Sequence, residues 1–234
     1  MSKSIFIVTS LFLIFFIFAC KKEKPEIVED IVVAAPDKVE VLLDNQYIKV
    51  TKFLLKAGDT LPMHKGGPRT IYSLNDYTLK WKEGTAEEVT KNWQAGDVHW
   101  HDAIPHAVEN TGTSDAQYLV LTRKVQALPD VMEYDINEDA SKIDSAHSMA
   151  LYDDENVRVV EVNLDPGVKQ PIHHGINRAI YSLTNYTINY QSGEDEPVEN
   201  TFAAGECHWH GADAHSVENI GETAANYLIF SFKK

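Results

Sequence analysis

The chain has 234 residues, with 35 acidic and 21 basic side chains and a net charge of −14. This length suits two compact domains of about 85 to 100 residues each. The acidic balance excludes nucleic-acid binding of the kind that needs an excess of Lys and Arg to neutralise phosphates, and it favours solubility.

The N-terminal residues have the pattern of a processed export signal. An apolar run from Ile5 to Phe18 follows the positive start at Lys3 and, at about 15 residues, is short for a membrane-spanning helix. It closes on Ala19-Cys20, which resembles the lipobox of bacterial lipoproteins. This resemblance implies a signal peptide at 1–19, lipidation of Cys20, and a lipid-anchored protein of the cell envelope, on the outer-membrane or periplasmic side. The alternative is an ordinary secretory signal with a chance cysteine.

Residues 20–38 are charged, contain two prolines and lack periodicity, which predicts a flexible tether. The first domain is predicted to span 39–124. Its β-branched and aromatic segments alternate in polarity between turn residues such as Asn75-Asp76 and Gly96. The predicted strands are 47–55, 70–74, 77–81 and 117–122. Many short strands separated by turns favour an all-β sandwich or barrel.

A polar, acidic linker is predicted at 125–147, with a short helix near Asn137 to Ser145. The second domain, at 148–234, is expected to have the same strand order as the first. Cys207 is the one cysteine outside the N-terminal signal, so no intramolecular disulfide framework exists and the domains must rely on their cores. We expect Cys207 to behave as a small buried hydrophobe.

The two domains are copies of one unit. Residues 42–124 align with 151–233 without a gap, at an offset of 109, and roughly two residues in five are identical. Nine of the ten histidines lie in the repeated motifs, and eight of them pair across the copies. These pairs are His64 and His173, His99 and His208, His101 and His210, and His106 and His215.

Strand geometry indicates which of these histidines can act together. Side chains alternate between the faces of a strand, so His99 and His101 share one face, while Trp100 points to the other. Converging imidazoles inside a small barrel would form a site for a divalent metal: Fe, Zn, Mn, Ni or Cu. The alternative is that these histidines are core or rim residues whose ring nitrogens are hydrogen-bonded within the protein.

The motifs resemble those of the cupin family. Gly58-x5-His64 and Gly167-x5-His173 are similar to the start of the first cupin motif, and His106-x3-Asn110 and His215-x3-Asn219 to the second. The resemblance covers both repeats and implies a bicupin, in which two tandem double-stranded β-helix (jelly-roll) barrels each hold a metal at the mouth. Only His64, His106, His173 and His215 carry over as ligands. His99 or His101, and His208 or His210, would supply the third, as in three-histidine cupins.

Two positions depart from the family pattern. Gly66 and Gly175 replace the second histidine of the first motif, and the acidic ligand is missing, with Arg69 and Arg178 near its place. Arginine beside a metal would offer a bidentate fork to a substrate carboxylate. Further substrate contacts are predicted from Tyr72 and Tyr181. The alternative for the arginines is a structural ion pair with Glu109 or Glu218, and Trp100 and Trp209 are predicted to pack in the barrel or between domains.

Two functions follow from the sequence. The first is a metal-dependent envelope enzyme, of oxygenase or isomerase/lyase type, acting on a small carboxylate or sugar acid. The second is a non-catalytic lipoprotein that binds a metal or an anionic ligand. The sequence indicates no Ser or Cys nucleophile, and it leaves the metal, the reaction and the oligomeric state open.

Overall fold

The computed structural model describes residues 27–124, 128 and 135–233. The predicted signal peptide, the lipidation of Cys20 and the first part of the tether lie outside these residues, as does part of the linker. Within the described residues, no helix is long and apolar enough to cross a membrane.

The first repeat folds into two antiparallel sheets that face each other. Its nine strands are β1 Val39–Asp44, β2 Ile48–Leu55, β3 Thr60–His64, β4 Arg69–Ser73, β5 Tyr77–Glu83, β6 Val89–Trp93, β7 Val98–His101, β8 His106–Asn110 and β9 Ala116–Arg123. The sheet orders are β1-β2-β9-β4-β7 and β3-β8-β5-β6. The four predicted strands are confirmed, and Gly58 and Gly96 make turns at φ values of +84° and +88° that disfavour a Cβ.

The second repeat has the same topology. Its strands are β10 Ser148–Asp153, β11 Val157–Leu164, β12 Lys169–Gly175, β13 Arg178–Ser182, β14 Tyr186–Ser192, β15 Val198–Phe202, β16 Cys207–His210, β17 Asp213–Asn219 and β18 Ala225–Phe232. The sheet orders β10-β11-β18-β13-β16 and β12-β17-β14-β15 match those of the first repeat strand for strand. The prediction of an all-β fold with two jelly-roll barrels in the same strand order is confirmed.

In the described part of the chain, three apolar clusters form the core. One fills each barrel, and the third lies between the repeats, where Tyr72 meets Phe230 edge-on with ring centroids 6.2 Å apart. Trp100 and Trp209 pack against this third cluster, which confirms their predicted packing role. Cys207 also packs there, and burial raises its pKa to about 12, so its thiol stays protonated. The five-stranded sheets thus join the barrels, and the four-stranded sheets lie outside.

Short helices precede each barrel. They are α1 Ile31–Ala34, the 3-10 helix Ile136–Glu138 and α2 Ala140–Ile143. The short helix predicted in the linker is confirmed. Asp30 caps α1 by accepting from the Val32 amide at 2.9 Å, and Asp139 caps α2 by accepting from the Ser141 amide at 2.9 Å.

The prediction that residues 20–38 form a free tether is wrong for its described part. Val28 forms a parallel bridge beside His64, donating to the Met63 carbonyl at 2.8 Å and accepting from the Lys65 amide at 2.9 Å. Residues 27–35, called here the first lid, therefore cover one side of the first barrel. The second lid, residues 136–144, packs on the second barrel at the same offset of 109. The duplicated unit thus begins earlier than the sequence match indicated.

Candidate functional site

His64 and His106 come together at the end of a strand pair. They are register partners on β3 and β8, and their ring centroids lie 4.1 Å apart. His173 and His215 repeat this arrangement at 4.3 Å. The four histidines carried over from the family motifs are therefore brought together in pairs, one pair in each barrel.

Burial keeps the first pair neutral. The Nδ1 atom of His64 donates to the carbonyl of Pro62 at 2.8 Å, which leaves Nε2 as an acceptor. The Nδ1 atom of His106 lies 3.2 Å from the Ile104 carbonyl oxygen. Desolvation lowers the pKa of both side chains, and with the nearby Arg69 charge it brings that of His106 to about 2. Neither ring carries a charge at neutral pH.

His99 and His101 are neighbours on one strand face, as predicted, but each ring contacts side chains other than His64 and His106. Their ring centroids lie 4.8 Å apart. His99 stacks on Trp93 at 3.8 Å, while the Nδ1 atom of His101 lies 3.1 Å from the Glu83 carboxylate. In the second repeat, His208 stacks on Phe202 at 4.4 Å, and the ring of His210 lies tilted against Tyr190 at 5.2 Å. The rings of the second histidine pair of each repeat thus pack on aromatic side chains, while the buried Nδ1 atoms of His99 and His208 have no hydrogen-bond partner among the described residues.

These residues do not fit the predicted divalent-metal site. Within the described ranges, no group of three or more His, Cys, Asp or Glu side chains is placed to hold a metal ion. The Arg69 guanidinium lies 3.3 Å from His106 Nδ1, and a Cβ added at Gly66 would come within 2.5 Å of it. A fixed cation therefore occupies the space beside the histidine pair, and the pair offers no negative charge to offset a dication.

The predicted substrate contacts of Tyr72 and Tyr181 are wrong. Both side chains are buried in the cluster between the repeats, away from the histidine pairs. The reason is strand alternation: Arg69 and Ile71 of β4 face the barrel interior, so Tyr72 faces the other repeat. Tyr77 and Tyr118 lie in the cluster that fills the first barrel, and Tyr118 also lines its cavity.

In the second barrel, Arg178 holds an internal carboxylate. Its Nη2 atom lies 2.9 Å from Asp213 Oδ1 and 3.0 Å from the Tyr190 hydroxyl, which itself donates to Asp213. His215 Nδ1 lies 3.1 Å from the same Asp213 oxygen. Burial alone would raise the pKa of Asp213, but the His215 hydrogen bond and the Arg178 charge hold it well below its ordinary value. An ion pair was predicted for Arg178, although with Glu218 rather than Asp213.

In the first barrel, the corresponding carboxylate is absent. The offset of 109 places Ile104 where Asp213 stands and Trp81 where Tyr190 stands. Arg69 is 2% exposed, yet no carboxylate oxygen among the described residues lies within 4 Å of its nitrogens. Its Nη1 atom donates to the carbonyls of Gly67 at 3.0 Å and Asp102 at 3.1 Å. Desolvation lowers its pKa to about 10, with partial opposition from Glu83.

Two further observations support this difference. Glu109, the predicted partner of Arg69, instead pairs with Lys80. The indole Nε1 of Trp81 is buried and has no hydrogen-bond partner within the described part of the chain. Buried polar groups are normally paired, so the first barrel holds two donors, Arg69 and Trp81, that lack an acceptor of the kind Asp213 supplies to the second.

A cavity of about 240 Å³ adjoins these donors in the first barrel. Its lining includes Arg69, His64, His106 and Trp81, and the first lid borders it. The cavity in the second barrel measures only about 60 Å³. Trp81, Tyr118 and the first lid are not among the predicted site residues, although the Glu-Asp pairs at 29–30 and 138–139 indicate that the lid is duplicated.

We expect stability to fall on acidification below pH 6.5. Burial lowers the folded-state pKa of eight histidines: His64, His99, His101, His106, His173, His208, His210 and His215. Between the unfolded value of 6.5 and the lowered folded values, the unfolded chain binds more protons, at about 1.4 kcal/mol per pH unit for each histidine.

Urea unfolding at pH 7.5, 6.0 and 5.0 measures this effect. Stability should be level above pH 7 and fall by several kcal/mol by pH 5. A variant with His106→Gln and His215→Gln should show a shallower slope. Stability that is unchanged between pH 7.5 and 5.0 would contradict neutral burial of these rings.

Comparison with known proteins places the fold. No family model and no curated protein matches the chain. Among solved structures, AerE from Microcystis aeruginosa matches with a TM-score of 0.62 at 18% identity, over 84% of this chain and 93% of that one. An oxalate decarboxylase of Bacillus subtilis matches at 0.56 and 12% identity, over 88% and 72%. A putative glyoxylate-induced protein from Pseudomonas aeruginosa matches at 0.57 and 16% identity, over 83% and 79%.

Because these sequence identities are low, the structural similarity establishes the fold only. The fold is that of a bicupin, as the sequence motifs implied. The activities named for these proteins, such as oxalate decarboxylase, are stated of the matched structures and not of this chain.

Proposed function

We propose that this protein is a non-catalytic binding protein that holds a small carboxylate in its first barrel. The observation that carries the proposal is the contrast between Arg178, which is paired with Asp213, and Arg69, which has no carboxylate within 4 Å in the described part of the chain. The second barrel therefore displays how this donor set binds a carboxylate. The first barrel has the corresponding Arg69 and His106 but no carboxylate among the described residues, so a bound ligand would supply the acceptor.

The energetics favour a ligand at Arg69. An unpaired buried charge destabilises a fold by several kcal/mol, and an anion that binds there removes part of that penalty. A bound carboxylate would accept from the guanidinium, a donor whose position the fold already fixes. The second barrel, whose arginine is neutralised internally, has a structural role.

A metal-dependent enzyme is the competing function. The Bacillus subtilis oxalate decarboxylase that shares the fold has Mn(II) centres. In this chain, the guanidinium beside His106 and the absence of a third ligand among the described residues disfavour such a centre. Elemental analysis of the purified protein for Mn, Fe, Ni, Cu and Zn separates the two functions. We expect well below one metal per chain, and close to two would overturn the proposal.

Removing the Arg69 charge tests the proposal directly. Titration calorimetry with a panel of short-chain carboxylates should show one site per chain. Arg69→Gln should weaken the best of them by about 30-fold or more, because a buried charge-assisted contact is worth about 2–5 kcal/mol. Lys80→Gln, which removes a cation paired outside the cavity, is the matched control and should leave affinity unchanged. Equal affinities for Arg69→Gln and wild type would contradict carboxylate binding at this site.

We also propose that the protein is tethered to the cell envelope by lipid on Cys20. The support is the lipobox-like sequence Ile17-Phe18-Ala19-Cys20. Expression of the full chain with a fatty-acid probe should label the wild type and should fail to label Cys20→Ala. Cys207→Ala is the matched control and should stay labelled. Unchanged labelling of Cys20→Ala would show that the anchor assignment is wrong.

A further inference from the structure

The charges around the first cavity define what it can hold. Its lining includes three cationic side chains, Arg69, Lys49 and Lys65, and two carboxylates, Glu29 and Asp30, from the first lid. His64 and His106 are neutral because burial lowers their pKa. One positive charge therefore remains. Glu83, which acts on Arg69 through space, lies 3.1 Å from His101 and does not line the cavity.

The two lid carboxylates occupy the two lysines. Asp30 lies 3.3 Å from Lys49 Nζ, and Glu29 lies 2.8 Å from Lys65 Nζ. A ligand with a second anionic group would have to displace one of these carboxylates or lie against it. Among the described residues that line the cavity, Arg69 is left to meet a single negative charge.

The remaining wall of the cavity combines apolar side chains with Thr51, Thr122 and Tyr118. Its apolar side chains are Ile31, Val32, Phe53, Leu61, Ile71 and Val120. A volume of about 240 Å³ is below the range of pockets for drug-sized ligands, so the occupant is small. Apolar walls favour a hydrocarbon body on the ligand and disfavour a second charge.

We infer that Glu29 and Asp30 select a small monocarboxylate with an apolar body and reject dicarboxylates, and this inference rests on the proposed function. A dianion would leave one negative charge uncompensated beside the exposed carboxylates of the first lid, whereas a monoanion balances the charges of the lining. The lid thus acts as a specificity element as well as a cover. The second lid makes no equivalent selection, because Glu138 lies 2.7 Å from His174 and Arg178 is already paired with Asp213.

The test compares pentanoate with glutarate, two five-carbon chains that differ by a methyl group and a carboxylate. Titration calorimetry of the full-length protein at pH 7.5 should show pentanoate binding at least tenfold more tightly. Glu29→Gln/Asp30→Asn should lower that ratio at least tenfold by releasing the two lysines, and Asn at position 30 still caps α1. Glu138→Gln is the matched control in the second lid and should keep the wild-type ratio.

The outcomes separate the two proposals. Wild-type protein that binds glutarate at least as tightly as pentanoate, through Arg69, would overturn the selection and leave carboxylate binding standing. An unchanged ratio in Glu29→Gln/Asp30→Asn, including a parallel loss of both affinities through opening of the lid, would also overturn the selection. Binding of no carboxylate by the wild type would overturn the proposed function, and the selection with it.

Discussion

Ile104→Asp is expected to weaken carboxylate binding in the first barrel by at least about tenfold. The substitution supplies the side chain that Asp213 provides in the second barrel, where it pairs with Arg178 at 2.9 Å. An internal carboxylate competes at an effective concentration of mM or more, so a ligand with comparable affinity loses at least about tenfold. The new charge-assisted contact should also stabilise the fold by about 1–3 kcal/mol.

The local backbone calls for a second variant. In the second repeat, Asp213 lies in β17 and pairs with Gly175, whereas β8 begins later, at His106. Pro105 lacks the amide that Ala214 offers at the same place, so Ile104→Asp/Pro105→Ala reproduces the second-repeat sequence more closely.

Ile104→Asn is the control for shape, since it lacks the charge. Calorimetry and urea unfolding should show weakened binding and raised stability for the aspartate variants only. Unchanged carboxylate affinity in both aspartate variants would show that Arg69 does not pair with a carboxylate at position 104.

Asp213→Ala is expected to destabilise the protein by about 3–5 kcal/mol. The change leaves Arg178, which is 1% exposed, as a buried charge without its carboxylate. The Tyr190 hydroxyl and His215 also lose their shared acceptor. Ile104→Ala is the matched control in the first repeat and should cost less, because Ile104 is 38% exposed and no charge depends on it.

Added acetate should rescue part of this loss. A carboxylate that binds the folded variant shifts unfolding by mass action, so the midpoint in urea should rise with acetate concentration. The rise in Asp213→Ala should exceed that of the wild type under the same conditions, with sodium chloride as the ionic-strength control. Equal effects of acetate on both proteins would contradict the role of Arg178 as a carboxylate site.

Much of the architecture was predictable from local pattern. Strand alternation and turn residues located the strands, because the side-chain period of two and the turn chemistry are properties of the chain itself. The offset of 109 required the two halves to share a topology, and the strand orders agree. The pairing of His64 with His106 also followed from the motif resemblance.

The chemistry of the site was decided by tertiary contacts. Side-chain alternation along the strand predicts that Arg69 and Tyr72 lie on opposite faces of β4. Only the packing of the sheets determines that Arg69 faces the barrel interior and that Tyr72 faces the other repeat. Histidines that share a strand face can stack on Trp81 and Trp93 instead of converging on a metal, and periodicity does not distinguish these outcomes.

The difference between the two barrels shows this division most clearly. The exchange of Ile104 for Asp213 is visible in the sequence, because the repeats align without a gap. Its meaning depends on a contact between Arg178 and Asp213, which lie 35 residues apart and meet through the pairing of separate strands. By itself the sequence determined two copies of one barrel. The tertiary structure decided that one arginine is neutralised from within and the other is not, because only folding brings a buried charge and its distant partner together.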